Sequence, residues 1–248
     1  MIYVCLPSHD EGATIGLVLW KIRQVFGESG REYQLLVIDD GSTDSTAEIL
    51  EPYAKVLPLT VVRHAQREGY AASVESALRL ALDRTDRPRR DCAVVMQADF
   101  SHLPHYLPDL VRQIDSGADL VVGEVTLEGA PSRGYTMVRR WAPALLGKGA
   151  QVPGVRDTVS GFLAVRLSCL RMALKDHPGR LLWAEGWAAN AELTTKLAAQ
   201  ARRVEVVPVV ERFNLRQRPS RVSPWDQIKT LWGARRVLRM AGAAGGAQ

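Results

Sequence analysis

Through the first 125 residues, short apolar runs alternate with segments whose apolar residues recur at helical spacing. The runs are IYVCLP, YQLLVIDD, LTVVRH, CAVVMQAD and ADLVVGEV. Between them lie EGATIGLVLWKIRQVF, STDSTAEILEPYA, YAASVESALRLALDR and LPDLVRQIDSG. A short run with almost no polar interruption is what a strand buried on both faces requires. The helical segments are long enough to cross back over a sheet, so the strands they join are parallel. The alternation predicts an α/β domain built on a doubly wound, mostly parallel sheet flanked by helices. A chain of 248 residues supplies one such domain and little more.

In sheets of this kind ligands bind beyond the carboxyl ends of the strands. Three runs end in polar clusters, SHDE, DDGSTD and QADFSH, which should converge on one cleft. In the first, the strand stops at Pro7, and Ser8 to Glu11 either project into the cleft or cap the next helix. In the second, an acid at the strand end followed by Gly-Ser makes a tight turn whose carboxylate can accept hydrogen bonds from a base or ribose. Asp44 is placed to cap the helix that follows. The third cluster carries a single carboxylate, Asp99, with Gln97 two residues before it. Magnesium takes as few as one or two protein carboxylates, with substrate phosphates and water completing its shell. Asp99 meets that minimum, and the amide oxygen of Gln97 is a neutral oxygen ligand. The same set would serve Mn²⁺. His102 is either a further ligand or a packing residue.

The remainder of the chain reads less regularly. Residues 126–155 are rich in Gly and Pro and carry one Arg-rich helical stretch, YTMVRRWAPALL. DTVSGFLAVRLSCLRMAL reads as strand then helix, GWAANAELTTKLAAQ as a helix and VEVVPVVE as a late strand. The expected organisation is a domain over 1–222, a basic amphipathic helix over 223–240 and a disordered tail over 241–248. That helix places Trp225, Ile228, Leu231, Trp232 and Leu238 towards one side. Such a face either lies in a membrane interface or packs on its own domain.

The net charge of +5 gathers near the C-terminus, in RFNLRQRPSR and GARRVLRM. This suits a phosphate-bearing ligand or an anionic membrane surface. No zinc-finger spacing or RNP-like aromatic motif occurs, so nucleic acid is not an expected partner. No apolar run reaches the roughly 18–20 residues needed to cross a bilayer. The N-terminus reads as a strand rather than a leader, and the three cysteines read as small buried hydrophobes. The expected location is cytoplasmic, with contact at the inner face of the membrane where the acceptor is a lipid.

The motifs LPSHDEG, VIDDGSTDST, QADFSHLP, DTVSGF, GWAANAE and VEVVPV stand in the order and spacing of family 2 glycosyltransferases of GT-A fold. Within these the chain most resembles the dolichol- and polyprenyl-phosphate mannose synthases, over roughly residues 2–222. The resemblance implies an inverting hexosyltransferase that moves a sugar, mannose from GDP-mannose being the first choice, to a polyprenyl-phosphate-like acceptor. A soluble small-molecule acceptor and a non-catalytic nucleotide-sugar-binding protein are the alternatives. The resemblance assigns nucleotide binding to Pro7, Ser8, Asp10, Glu11, Asp40, Gln97 and Ala98, and metal binding to Asp99 and Gln97. Asp157 and Glu192 line the acceptor side beside Asp99 as the catalytic carboxylates. Arg139, Arg140, Arg212, Arg216, Ser220 and Arg221 would bind the acceptor or its phosphate, with Arg218 competing for the same role. Two departures are visible. Gln97 replaces an acid, and Val125 stands where the group carries a phosphate-binding arginine.

Overall fold

The computed structural model describes residues 1–129, 133–212 and 228–235. Seven strands among them form one sheet: β1 (Ile2–Ser8), β2 (Tyr33–Asp39), β3 (Leu59–Arg63), β4 (Cys92–Val95), β5 (Leu120–Glu128), β6 (Leu163–Arg166) and β7 (Val204–Arg212). The sheet order is β3-β2-β1-β4-β6-β5-β7. The helices are α1 (Ile15–Ser29), α2 (Thr46–Val56), α3 (Tyr70–Arg84), α4 (Leu107–Asp115), α5 (Arg133–Leu146), α6 (Leu167–Asp176) and α7 (Gly186–Gln200).

The alternating pleat explains the two-sided apolar runs. Ile2, Val4 and Leu6 of β1 face one core with Leu35, Val37, Val94 and Met96, covered by α1 and α4. Tyr3 and Cys5 face the other core with Leu36, Ile38, Ala93 and Val95, covered by α3, α6 and α7. Each such Val, Leu or Ile contributes about 1.5–3 kcal/mol by leaving water. A third cluster joins Val138, Ala142 and Leu146 of α5 to Ala188 and Ala191 of α7 and to Leu231 and Ala234. All three cysteines are buried and free, as their apolar surroundings predict.

The expected parallel character holds for the pairs β1–β2, β1–β4, β2–β3 and β5–β7. The short strand β6 intrudes between β4 and β5, antiparallel to both. Its insertion brings residues 157–162, which precede β6, to the same sheet edge where β4 and β5 end.

Because β2 lies on one side of β1 and β4 on the other, the winding direction reverses at β1. A crevice opens at such a reversal, beyond the carboxyl ends of the strands.

Candidate functional site

Pro7, Ser8, His9, Glu11, Asp40, Arg67, Tyr70, Ser73 and Gln97 line one cleft of about 140 Å³ at that crevice. The SHDE, DDGS and QAD clusters therefore meet as their strand-end positions predict. The Oγ of Ser8 is buried there with no hydrogen-bond partner among the described residues. A buried hydroxyl left without a partner costs about 1–3 kcal/mol, so the position favours a ligand that supplies one.

Asp10 takes a different part from the one the resemblance implies. It adopts a left-handed backbone conformation, φ +50°. Its Oδ1 accepts from the Thr43 and Asp44 backbone N–H groups at 2.8 and 3.3 Å. It pins the turn after β2 to the turn after β1 and is not among the cleft-lining residues. Asp44 takes the Thr46 N–H at the start of α2 at 2.9 Å, the capping role read from sequence, and also the Gly12 N–H at 3.0 Å. Arg63 donates to the Ser42 carbonyl at 2.8 Å and lies 3.5 Å from Asp39, bracing the DDGS turn.

Asp40 forms the floor. Its oxygens accept from the Glu68 and Gly69 backbone N–H groups at 2.8 and 2.9 Å, and its Oδ1 is 2.8 Å from His64 Nδ1. Burial alone would raise its pKa, but the His64 contact and the two backbone donors outweigh it and hold the pKa below the ordinary carboxylate value. A depressed pKa contributes stability that is fully present above the unfolded value and is lost as pH falls through the folded one. Asp40→Asn should therefore lower unfolding free energy at pH 7 by about 1.5–3 kcal/mol. Denaturant titrations of both proteins should show the gap closing as pH drops below about 4.

Beyond β4, Asp99 Oδ1 accepts from the backbone N–H and the hydroxyl of Ser101, at 2.9 and 2.5 Å. Between them Phe100 is held at φ +65°. A left-handed phenylalanine costs about 1–2 kcal/mol, spent here on the direction in which Asp99 points. Asp99 Oδ2 has no protein partner among the described residues. The Gln97 side chain donates from Nε2 to the Tyr70 hydroxyl at 2.9 Å, leaving its Oε1 unpaired among the described residues. Ala98 is buried and contributes packing. His102 accepts the Gln97 backbone N–H at Nδ1 (3.0 Å) and stacks on Phe162, centroids 4.6 Å apart, so it packs and orients.

Among the described residues no group of three or more His, Cys, Asp or Glu could hold a metal ion unaided. The available donors are one carboxylate oxygen and one amide oxygen. They are hard ligands of the type Mg²⁺ and Mn²⁺ accept, and they fit an ion whose remaining positions are filled by phosphates and water.

Two of the residues that the resemblance places on the acceptor side are engaged in contacts within the protein. Glu192 is 0% exposed. One oxygen pairs with Lys196 Nζ at 2.7 Å, and the other accepts the Trp183 and Ala184 N–H groups at 2.8 and 2.9 Å. It fastens the segment before α7 and presents no oxygen to a substrate. Arg139 is likewise committed: its guanidinium lies 2.6 Å from Asp157 and 3.3 Å from Glu211. Burial would lower its pKa, but those two acids and Tyr135 raise it, so the cation is permanent and already balanced. Asp157 also accepts from Val159 and Ser160 N–H at 3.1 Å and from Val125 N–H at 3.2 Å. The Asp157 carboxylate thus closes the loop it sits in. Arg140 is exposed on α5. Arg212 ends β7, and its side chain lies outside the described residues, as do Arg216, Arg218, Ser220 and Arg221.

In the last segment, residues 228–235 are helical. Ile228, Leu231 and Ala234 pack against α5 and α7, the inward choice of the two read from sequence. Trp232, expected on that face, is instead 61% exposed with Arg235 over its ring at 5.0 Å. Met137 and Trp141 of α5 are exposed as well. No helix among the described residues is long and apolar enough to cross a membrane.

Sequence reasoning missed three residues at the site. Tyr70 bridges Gln97 and Asn190, and Glu185 caps the start of α3 by accepting the Ala71 N–H at 3.2 Å. Gly69 at φ +103° was visible as a glycine, but its partner Glu185, 2.9 Å from where a Cβ would stand, is more than a hundred residues away.

Known proteins share both the motifs and the fold. The family model described as "Glycosyl transferase family 2" matches residues 3–172. A dolichol-phosphate mannosyltransferase of Pyrococcus furiosus is 27% identical over 174 residues, covering 66% of this chain and 46% of that protein. The chain thus spans about half the length of that relative. An undecaprenyl-phosphate mannosyltransferase of Micrococcus luteus is 27% identical over 212 residues, covering 84% of this chain and 82% of that one. Among solved structures, glucosyl-3-phosphoglycerate synthase from Mycobacterium tuberculosis, in complex with Mg²⁺ and uridine diphosphate, superposes with a TM-score of 0.63. It is 21% identical, and the match covers 98% of this chain and 79% of that one. The likeness shows the GT-A fold.

Proposed function

The chain belongs to glycosyl transferase family 2, and from that premise we propose that it is an inverting glycosyltransferase acting on a nucleotide sugar, with a polyprenyl phosphate as acceptor. The observation that carries the donor side is the meeting of Ser8, Glu11, Asp40 and Gln97 in one cleft with Asp99 two residues beyond. The orphaned Ser8 hydroxyl offers a hydrogen bond to a nucleoside above the Asp40 floor. Arg67, exposed at the rim, supplies positive charge for phosphate. Mannose is the sugar that the names of the mannosyltransferase relatives favour, and GDP is the carrier that the motif resemblance implies.

Transfer forms a bond from the acceptor oxygen to the anomeric carbon. On the opposite face the bond to the diphosphate breaks, and the nucleoside diphosphate leaves with the electron pair. Asp99 Oδ2 and Gln97 Oε1 would hold a divalent ion, which supplies positive charge to the departing diphosphate. With one carboxylate rather than two, the site depends on the substrate's phosphates for affinity. A phosphate acceptor arrives ionised at pH 7 and needs no general base. That agrees with Asp157 and Glu192 being engaged in structural contacts.

A second reading is favoured by a specific observation. Val125 provides no cation, and Arg139 is neutralised by Asp157 and Glu211. A soluble acceptor would not need either. The polyprenyl reading instead leaves phosphate to Arg140 and to the arginines of 212–221, with exposed Met137, Trp141 and Trp232 as membrane contacts at the cytoplasmic face.

The test is a transfer assay with GDP- and UDP-sugars, with and without Mg²⁺ or Mn²⁺, offering a short-chain polyprenyl phosphate or a panel of soluble hydroxyl acceptors. Mannosyl transfer from GDP-mannose to the lipid phosphate is the expected result. Transfer only to soluble acceptors selects the second reading. Binding of nucleotide sugars without any transfer would leave a binding protein and overturn both.

A further inference from the structure

The amide at position 97 is part of a directed chain of hydrogen bonds. Asn190, only 3% exposed, donates from Nδ2 to the Val159 carbonyl at 2.9 Å. That bond orients the amide and turns its Oδ1 towards Tyr70, whose hydroxyl donates to it at 2.9 Å. A phenol has one proton, so the Tyr70 oxygen is left as an acceptor. It is filled by Gln97 Nε2 at 2.9 Å. From Val159 outward, every donor and acceptor in the chain is determined. The last step turns Gln97 Oε1 away from Tyr70.

From this geometry we propose that Tyr70 and Asn190 are positioning residues that require an amide at 97, aim its carbonyl oxygen at the diphosphate side of the cleft, and couple that oxygen to the acceptor-side loop 157–161. The inference rests on the donor-site reading above. A carboxylate at 97 would compete with Asn190 for the single Tyr70 proton and leave two acceptors facing each other. Gln97 is then the residue that fits this network, and the replaced acid is not restored by simple reversion.

The coupling has a second strand. The turn after Gln97 is docked on the residue that follows this loop, through His102 stacked on Phe162. The loop itself has no slack at this point. Gly161 sits at φ +73°, and a Cβ on it would stand 2.5 Å from Asn190 Nδ2. Loop 157–161 therefore lies against the Asn190 side chain and is bonded to it at Val159, and Tyr70 links that side chain to Gln97.

The test combines Tyr70→Phe, Gln97→Glu and the double variant, read by thermal unfolding without ligand and by steady-state kinetics. In unfolding, Gln97→Glu should cost several degrees when Tyr70 is intact and less than half of that when it is combined with Tyr70→Phe, a non-additive cycle. In kinetics, Tyr70→Phe should lower kcat about tenfold or more with donor KM changed less than about threefold. Gln97→Glu should not raise transfer, and adding Tyr70→Phe to it should lower transfer no further. Additive unfolding effects would overturn the network, as would an unaltered kcat in the Tyr70→Phe variant. The unfolding cycle does not depend on activity, so a protein that transfers no sugar would refute the donor reading while the cycle still decides the network.

Discussion

Asp99→Asn should lower kcat/KM for sugar transfer about 10²–10³-fold, equivalent to about 2.7–4 kcal/mol of transition-state stabilisation. The substitution is chosen because an asparagine oxygen can still accept from Ser101, so the left-handed turn at Phe100 survives. What is lost is one negative charge at the end of β4, and Asp99 is the acid of the QAD cluster. In a site with two carboxylates the second would cushion the loss; here Gln97 offers only a neutral oxygen. The melting midpoint should shift by no more than about 2 °C, since the group is partly exposed and its structural bonds are kept. Steady-state kinetics beside a thermal melt separates the two effects. Full activity in the variant would place the diphosphate elsewhere.

Glu192→Gln should show the reverse pattern. The native carboxylate is buried with Lys196, and removing one member of a buried pair typically costs about 3–5 kcal/mol because the other charge is left uncompensated. For a chain of this length that corresponds to a midpoint lowered by roughly 6–20 °C. The Trp183 and Ala184 N–H groups would also lose a charged acceptor. Below its melting range, the variant should turn over within about threefold of the parent. A collapse of kcat at unchanged stability would instead return Glu192 to the chemistry. The two variants together distinguish a carboxylate that faces substrate from one that holds the scaffold.

The sheet was legible because its strands are buried on both faces and so carry almost no polar interruption, as in IYVCLP and CAVVMQAD. The convergence of the three strand-end clusters followed from parallel pairing alone. The antiparallel insertion of β6 was not legible, since LAVR carries the same apolar signature whichever way it runs. The contacts of two charged residues read for the acceptor side were not legible for a related reason. Glu192 and Arg139 are charged residues in motifs, and a motif does not reveal that the Trp183 and Ala184 N–H groups turn onto Glu192 or that Asp157 and Glu211 close around the guanidinium. Tyr70 escaped notice because its partners, Gln97 and Asn190, are 27 and 120 residues distant, and only the fold brings them together.

The most direct measurement is isothermal titration of the unaltered protein and of Asp99→Ala with GDP and UDP, each in Mg²⁺ and in chelator. One of the nucleoside diphosphates should bind the unaltered protein about tenfold or more tightly with Mg²⁺ than without, and the variant should lose that difference while keeping its metal-free affinity. No binding of either nucleotide, or a magnesium effect undiminished in the variant, would contradict a nucleotide-sugar site in which Asp99 is the carboxylate that meets the diphosphate.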